Sequence, residues 1–230
     1  MITETHKAWL LHKHPSGDSS LRTRFFTREM GVIDCLYRGG RKPKKNAEVQ
    51  PFSPLWLSVN LRNEYFYVNT LESTASSLDL KGNNLFAAIY LNELLYYSIK
   101  PQDPCPHLFE SYEISLNALQ TINENLAIEV ILRQFERRLL HTCGYSLNLT
   151  EEGSGEAISA GNCYQFIAGT GFILSQQGFQ GADILAFANQ DFSNLSVLKM
   201  AKSVMRQAID HLLMGRVLKS RSLFLIPGRT

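Results

Sequence analysis

Near residue 80 the apolar period of this chain changes. Up to about residue 80, hydrophobic residues lie in short runs separated by turn residues; beyond Asp79-Leu80-Lys81-Gly82-Asn83-Asn84 they recur at helical spacing. Lys7–Lys13, Leu21–Thr27, Gly31–Arg38, Val49–Asn60 and Glu64–Thr70 read as five strands, with His14-Pro15-Ser16-Gly17-Asp18 as a turn. Five strands so close together, mostly without a helical period between them, predict a small closed or half-closed barrel. Helices follow at Leu85–Ile99, 107–121 and 125–142, and a last one at Leu195–Met214 buries Val197, Ala201, Val204, Ala208 and Leu212. Between the last two, about 144–178, a glycine-rich stretch with short strand-like pieces predicts a small irregular ribbon-like insert. The expected class is therefore α+β, with a barrel over 1–80 and a mostly helical domain over 81–230. With 44% hydrophobic residues in 230, a packed core is expected.

Period-two alternation sorts Leu21, Thr23 and Phe25 to one face of their strand and Arg22, Arg24 and Phe26 to the other. The third strand runs into Arg38-Gly39-Gly40-Arg41-Lys42-Pro43-Lys44-Lys45, five positive charges in eight residues with no acid. Two glycines loosen the backbone and Pro43 interrupts regular structure, so a mobile basic loop is expected. Single-stranded nucleic acid is held by cations that track phosphates and by aromatic faces on which bases stack, and a five-stranded barrel commonly supports both. Arg22, Arg24, Phe26, Arg38, Arg41, Lys42, Lys44 and Lys45 are the candidate DNA-binding residues, and Tyr65 and Tyr67 share a strand face on which bases can stack. A solvated hairpin tip, and tyrosines packed against the helices, are the competing readings.

Charge is unevenly spread. Residues 1–80 hold 11 Lys and Arg against 8 Asp and Glu, residues 81–195 hold 5 against 12, and residues 196–230 hold 7 against 1. Two basic ends flank an acidic middle, and together they would offer a polyanion a positive face. Lys199, Lys202 and Arg206 lie close together around the last helix and join the DNA-binding candidates.

Other chemistries find little support. No Gly-x-x-x-x-Gly-Lys-Ser/Thr or Gly-x-Gly-x-x-Gly loop is present. His12 and His14 can share a strand face, with His6 near, but lack a third soft ligand; His141 and Cys143 lack a third partner, and no catalytic carboxylate pair stands out. Cys35, Cys105, Cys143 and Cys163 are too dispersed for a disulfide framework, which predicts reduced thiols. No cofactor is expected. Without a membrane-length apolar run or a signal-peptide pattern at Met1-Ile2-Thr3-Glu4-Thr5-His6, a cytoplasmic, non-membrane protein is expected.

An ordered series of short motifs resembles the RecO family of bacterial recombination mediators along essentially the whole chain. It comprises Leu10-Leu11-His12, Ser20-Leu21, Phe26-Thr27, Gly31, Gly40-Arg41 and Gln50-Pro51-Phe52-Ser53-Pro54-Leu55, then Tyr90-Leu91-Asn92-Glu93-Leu94-Leu95 and Arg133-Gln134-Phe135-Glu136. Gly144-Tyr145-Ser146-Leu147-Asn148-Leu149 and Leu218-Lys219-Ser220-Arg221-Ser222-Leu223-Phe224 complete it. The resemblance implies an OB-type barrel followed by helices, and a non-enzymatic DNA repair and recombination mediator. Such a protein binds single- and double-stranded DNA, anneals complementary strands and, with RecR, helps load RecA on DNA coated by single-stranded-DNA-binding protein, in the RecFOR pathway at the nucleoid. It also implies docking of that coat protein's C-terminal tail, for which Arg133 is the candidate partner of the tail carboxylates; Glu129, one turn earlier, is placed to neutralise it instead. Some relatives carry a four-cysteine zinc ribbon, whereas this chain has only Cys143 and Cys163 in that region, so no structural zinc is expected. The rival functional readings are an adaptor whose barrel contacts proteins without gripping DNA, a metal-dependent nuclease using His12, His14 and an acid, and RNA as the ligand.

Overall fold

Leu21, Thr23 and Phe25 turn inward from β2 (Ser20–Thr27), as their alternation requires, and meet Tyr37, Cys35 and Ile33 of β3 (Gly31–Tyr37) in antiparallel register. In the computed structural model, which describes residues 5–122 and 124–225, these strands belong to a closed five-stranded barrel of OB type with order β1-β2-β3-β5-β4. β1 (Thr5–Ser16) pairs with β2 along its length and, through Thr5–Ala8, with β4 (Leu55–Arg62), which closes the cylinder. β3 joins β5 (Tyr65–Ser73) in parallel through Cys35 and Leu36. Closure removes the unpaired edges of an open sheet. Ala8, Leu10, Leu21, Phe25, Ile33, Val49, Leu55, Leu57, Phe66 and Leu71 fill the interior.

Two boundaries differ from the sequence expectation. β1 continues through His14, Pro15 and Ser16, which were expected in a turn. That end of β1 lies beyond its pairing with β4, so a residue without an N–H is tolerated there. β4 begins at Leu55, not Val49, because Val49 instead ends a short helix, α1 (Pro43–Glu48), and is fully buried in the barrel core.

The described residues form two compact units. The first contains the barrel, α2 (Gly82–Ser98), α3 (Pro106–Thr121) and a returning 3-10 helix, Lys219–Leu225; the change of texture near residue 80 therefore falls inside this unit. Trp9 and Phe26, opposite one another on β1 and β2, face outward and pack with Phe109 and Tyr112 of α3 in edge and tilted ring contacts at 5.2–6.0 Å. Trp9 donates its indole N–H to Glu113. Asn92 donates to the Leu10 carbonyl and accepts from the Tyr112 hydroxyl. Its neighbour Glu93 accepts the Lys219 and Ser220 backbone N–H groups at 2.9 and 2.8 Å and the Ser220 hydroxyl. A carboxylate at the start of that 3-10 helix satisfies donors the helix cannot. The Asn92-Glu93 and Lys219-Ser220 motifs thus meet as a structural strap.

The second unit, to Val217, holds α4 (Asn125–Thr142), a three-stranded sheet β7-β6-β8 (Gly171–Ser175, Cys163–Ile167, Phe179–Gln180), α5 (Gly181–Ala188) and α6 (Leu195–Leu212). The ribbon-like segment is present, and α5 follows it unanticipated; Gly181 opens α5 because a Cβ there would lie 1.9 Å from the Ser159 carbonyl oxygen. Leu212 is only half-buried, and Leu213, one residue further, takes the buried place at the helix end.

Candidate nucleic-acid interface

One row of outward residues crosses the whole barrel. His14 of β1 faces Arg22 of β2, Arg22 faces Leu36 of β3, Leu36 faces Tyr67 of β5, and Tyr67 faces Asn60 of β4. The Arg38 guanidinium lies 4.8 Å over the Tyr67 ring, extending the cationic side of the row with a stacked pair. Arg22 is exposed and has no side-chain partner among the described residues.

The basic segment beside this row is not irregular throughout: Pro43–Glu48 forms a short helix, and side chains around it contact its end. Gly39 adopts φ +71°, a left-handed conformation that suits glycine, and a Cβ on Gly40 would stand 2.9 Å from the Tyr37 ring and 3.0 Å from its carbonyl oxygen. Pro43 opens α1, where its missing N–H has no helical partner to lose. Lys13 donates to the Val49 carbonyl at 2.6 Å and to the Asn46 side chain at 2.9 Å, placing a cation at the carbonyl end of α1. Burial lowers the Lys13 pKa. Tyr37 donates to Glu48 at 2.7 Å, and burial, then that carboxylate, raises the phenol's pKa.

These contacts divide the basic residues. Arg41 donates to the Gly17 carbonyl at 2.9 Å, tying the segment to the β1–β2 hairpin, and Lys45 donates to the Arg38 carbonyl at 3.0 Å while lying 4.7 Å over Tyr37. Lys42 and Lys44 are exposed, without a side-chain partner among the described residues. Fixed glycines and a clamped helix therefore present two open ammonium groups and two tethered cations. The arrangement can neutralise phosphates; it offers no activated nucleophile.

Two strand residues do not fit their expected role. Phe26 is completely buried, sandwiched against α3, so it cannot stack a base. Arg24 makes a two-bond contact with Asp34 at 2.8 and 2.6 Å, lies 4.3 Å over Tyr96 of α2, and donates to the Tyr96 carbonyl. The Asp34 hydrogen bond raises its pKa, and its charge is already compensated. The face assignment was right, but the surroundings change along it.

Arg62, absent from the sequence candidates, stands opposite Tyr65 at the end of the β4–β5 hairpin. Asn63 and Glu64 turn that hairpin with φ +48° and +65°, the left-handed pair of a tight two-residue connection. Tyr65 remains 65% exposed. An asparagine followed by an acid between strand-like runs was the available signal.

In the second unit, Lys199 and Arg206 are exposed on α6, whereas Lys202 donates to Glu129 of α4 at 2.5 Å. Arg133 is buried and donates to the buried Glu136 at 2.9 Å, with Glu129 at 3.9 Å. Its charge is met within its own helix, as the competing reading has it, by Glu136 more closely than by Glu129. Among the described residues, no three His, Cys, Asp or Glu side chains form a metal-holding group, and no helix is long and apolar enough to cross a membrane.

The sequence matches two family descriptions, Recombination protein O N terminal over residues 1–77 and Recombination protein O C terminal over 80–214. The chain belongs to the RecO family. A DNA repair protein RecO of Legionella pneumophila (strain Corby) is 47% identical over 226 residues, covering 97% of this chain and 99% of its own. Those of Psychromonas ingrahamii and Pseudoalteromonas translucida are 37% and 33% identical, each over 97% of this chain and 99% and 98% of their own. Of the basic residues that the sequence singled out on the barrel, Arg22, Arg38, Lys42 and Lys44 remain open, and Arg62 joins them.

Proposed function

We propose that this RecO-family chain is a DNA repair and recombination mediator that binds single- and double-stranded DNA and anneals complementary strands. With RecR, it helps load RecA onto DNA coated by single-stranded-DNA-binding protein, whose C-terminal tail it engages. It works in the cytoplasm at the nucleoid and transfers no group. The observation that carries the reading is the barrel's outer row, with Arg22 and the Arg38–Tyr67 stack beside the open ammonium groups of Lys42 and Lys44. Cations of this kind neutralise two strands brought together and leave sequence selection to base pairing.

Fluorescence anisotropy with labelled single-stranded DNA at two salt concentrations tests it. Affinity is expected to fall steeply with salt, by a log–log slope of about 0.7 to 0.9 per phosphate contact. Salt-insensitive or absent binding favours an adaptor whose barrel contacts only proteins.

A further inference from the structure

We propose that Tyr65, presented beside Arg62 on the β4–β5 hairpin, is the residue by which the barrel distinguishes single-stranded from double-stranded DNA; this rests on the DNA-binding reading above. The cations are indifferent to strandedness. Arg22, Lys42 and Lys44 meet phosphates, which a duplex and a single strand both present. Discrimination requires a group that recognises what only the single strand exposes, the flat faces of its bases.

Among the outward aromatic rings of the barrel, Tyr65 is the one suited to that task. Phe26 and Trp9 are buried under α3. The Tyr67 ring already carries the Arg38 guanidinium. Trp56, 39% exposed, sits near the other end of β4, opposite Lys7 and Glu72 and away from the cationic row. Tyr65 is 65% exposed and has no side-chain partner among the described residues, so its ring contributes little to folding.

Its position suits the role. Tyr65 lies two residues from Tyr67 along the same outer face of β5, so a strand following the row from Arg22 to Tyr67 passes beside it. Arg62, its register partner, supplies a cation for the adjoining phosphate. The hairpin is closed by a two-residue turn, which fixes the backbone that carries the ring before DNA arrives. Glu64, in that turn, is the local acid and opposes phosphate approach at the hairpin tip.

Anisotropy titrations with three labelled probes of equal length test the proposal: an oligothymidylate, the same strand with abasic sites, and a blunt duplex. Tyr65→Ala should weaken oligothymidylate binding by about tenfold, the lower part of what one lost base stack costs. Binding of the abasic strand and of the duplex should stay within about twofold, since phosphate contacts are retained. Tyr65→Trp should preserve the preference for the base-bearing strand. Equal losses on all three probes, or no loss on any, overturn the proposal. A Lys42→Ala/Lys44→Ala variant read in parallel separates the two levels. If it weakens all probes while Tyr65→Ala weakens none, only the strandedness assignment fails; if it weakens none, the DNA-binding reading fails with it.

Discussion

The outer face of β1 and β2 is one surface with two fates. At one end Trp9 and Phe26 disappear beneath α3; at the other His14 and Arg22, from the same strands and on the same face, stand open. Between them Arg24 is half-covered, flanked by Asp34 and Tyr96. Strand periodicity determines which way a side chain points, but not what it meets. On this barrel the helices cover the apolar end and leave the cationic end exposed.

The sharpest way to break this contrast is to exchange the properties its ends are meant to carry. Phe26→Ala removes a fully buried ring and should destabilise the protein by about 3 to 5 kcal/mol, read from the urea midpoint. DNA affinity of the fraction still folded should be unchanged. A stable Phe26→Ala protein that has lost DNA binding would place the ring in the interface after all.

A comparable loss is expected inside the second unit. Removing one partner of the buried Arg133–Glu136 pair leaves the other poorly compensated: after Glu136→Ala, Arg133 keeps only Glu129 at 3.9 Å, which should cost about 3 kcal/mol, whereas replacing both residues by leucine should restore most of it. Arg133→Ala is then a poor probe of partner-tail docking unless its folding is measured alongside. A single variant of unchanged stability would mean that the guanidinium is free for a ligand.

At the open end, Lys42→Ala/Lys44→Ala should reduce the salt slope of DNA binding by about 1.4 to 1.8 while leaving the urea midpoint unchanged. Extending the substitutions to Arg41 and Lys45 should bring a stability loss of about 1 kcal/mol, because those side chains hold the Gly17 and Arg38 carbonyls. If the first pair proves as destabilising as the second, the division between open and tethered cations is incorrect.

How far the sequence reaches is visible in these same residues. Five strands and four helices were legible from the length and spacing of their apolar runs, and the outward side of Arg22, Arg24 and Phe26 follows from alternation alone. The burial of Phe26 was not legible, since it depends on Phe109 and Tyr112, over eighty residues away in sequence. For the basic segment, glycine and proline signalled a departure from the strand but not the short helix that follows; the contacts that hold that helix come from Lys13 on β1 and from Tyr37 at the end of β3. α5 has eight residues, too few to display a period of its own.

The smallest effect marks where the covered zone ends. His12 lies directly opposite Arg24, with its ring edge-on to Tyr96 at 5.5 Å and 5.7 Å from His14. Burial first, then the charges of His14 and Arg24, lower its pKa below the ordinary imidazole value. As pH falls through about 6.5, the unfolded chain therefore takes up this proton before the folded one does. In that window the unfolded state binds more protons, so the His12 contribution is whole above it and is lost as the medium becomes more acidic. His12→Gln should therefore flatten the fall in urea midpoint between neutral and mildly acidic pH, by an amount well below the other effects because His12 is still largely exposed. An unchanged pH dependence would place His12 wholly on the open side, and the cover over this face would then end at Arg24.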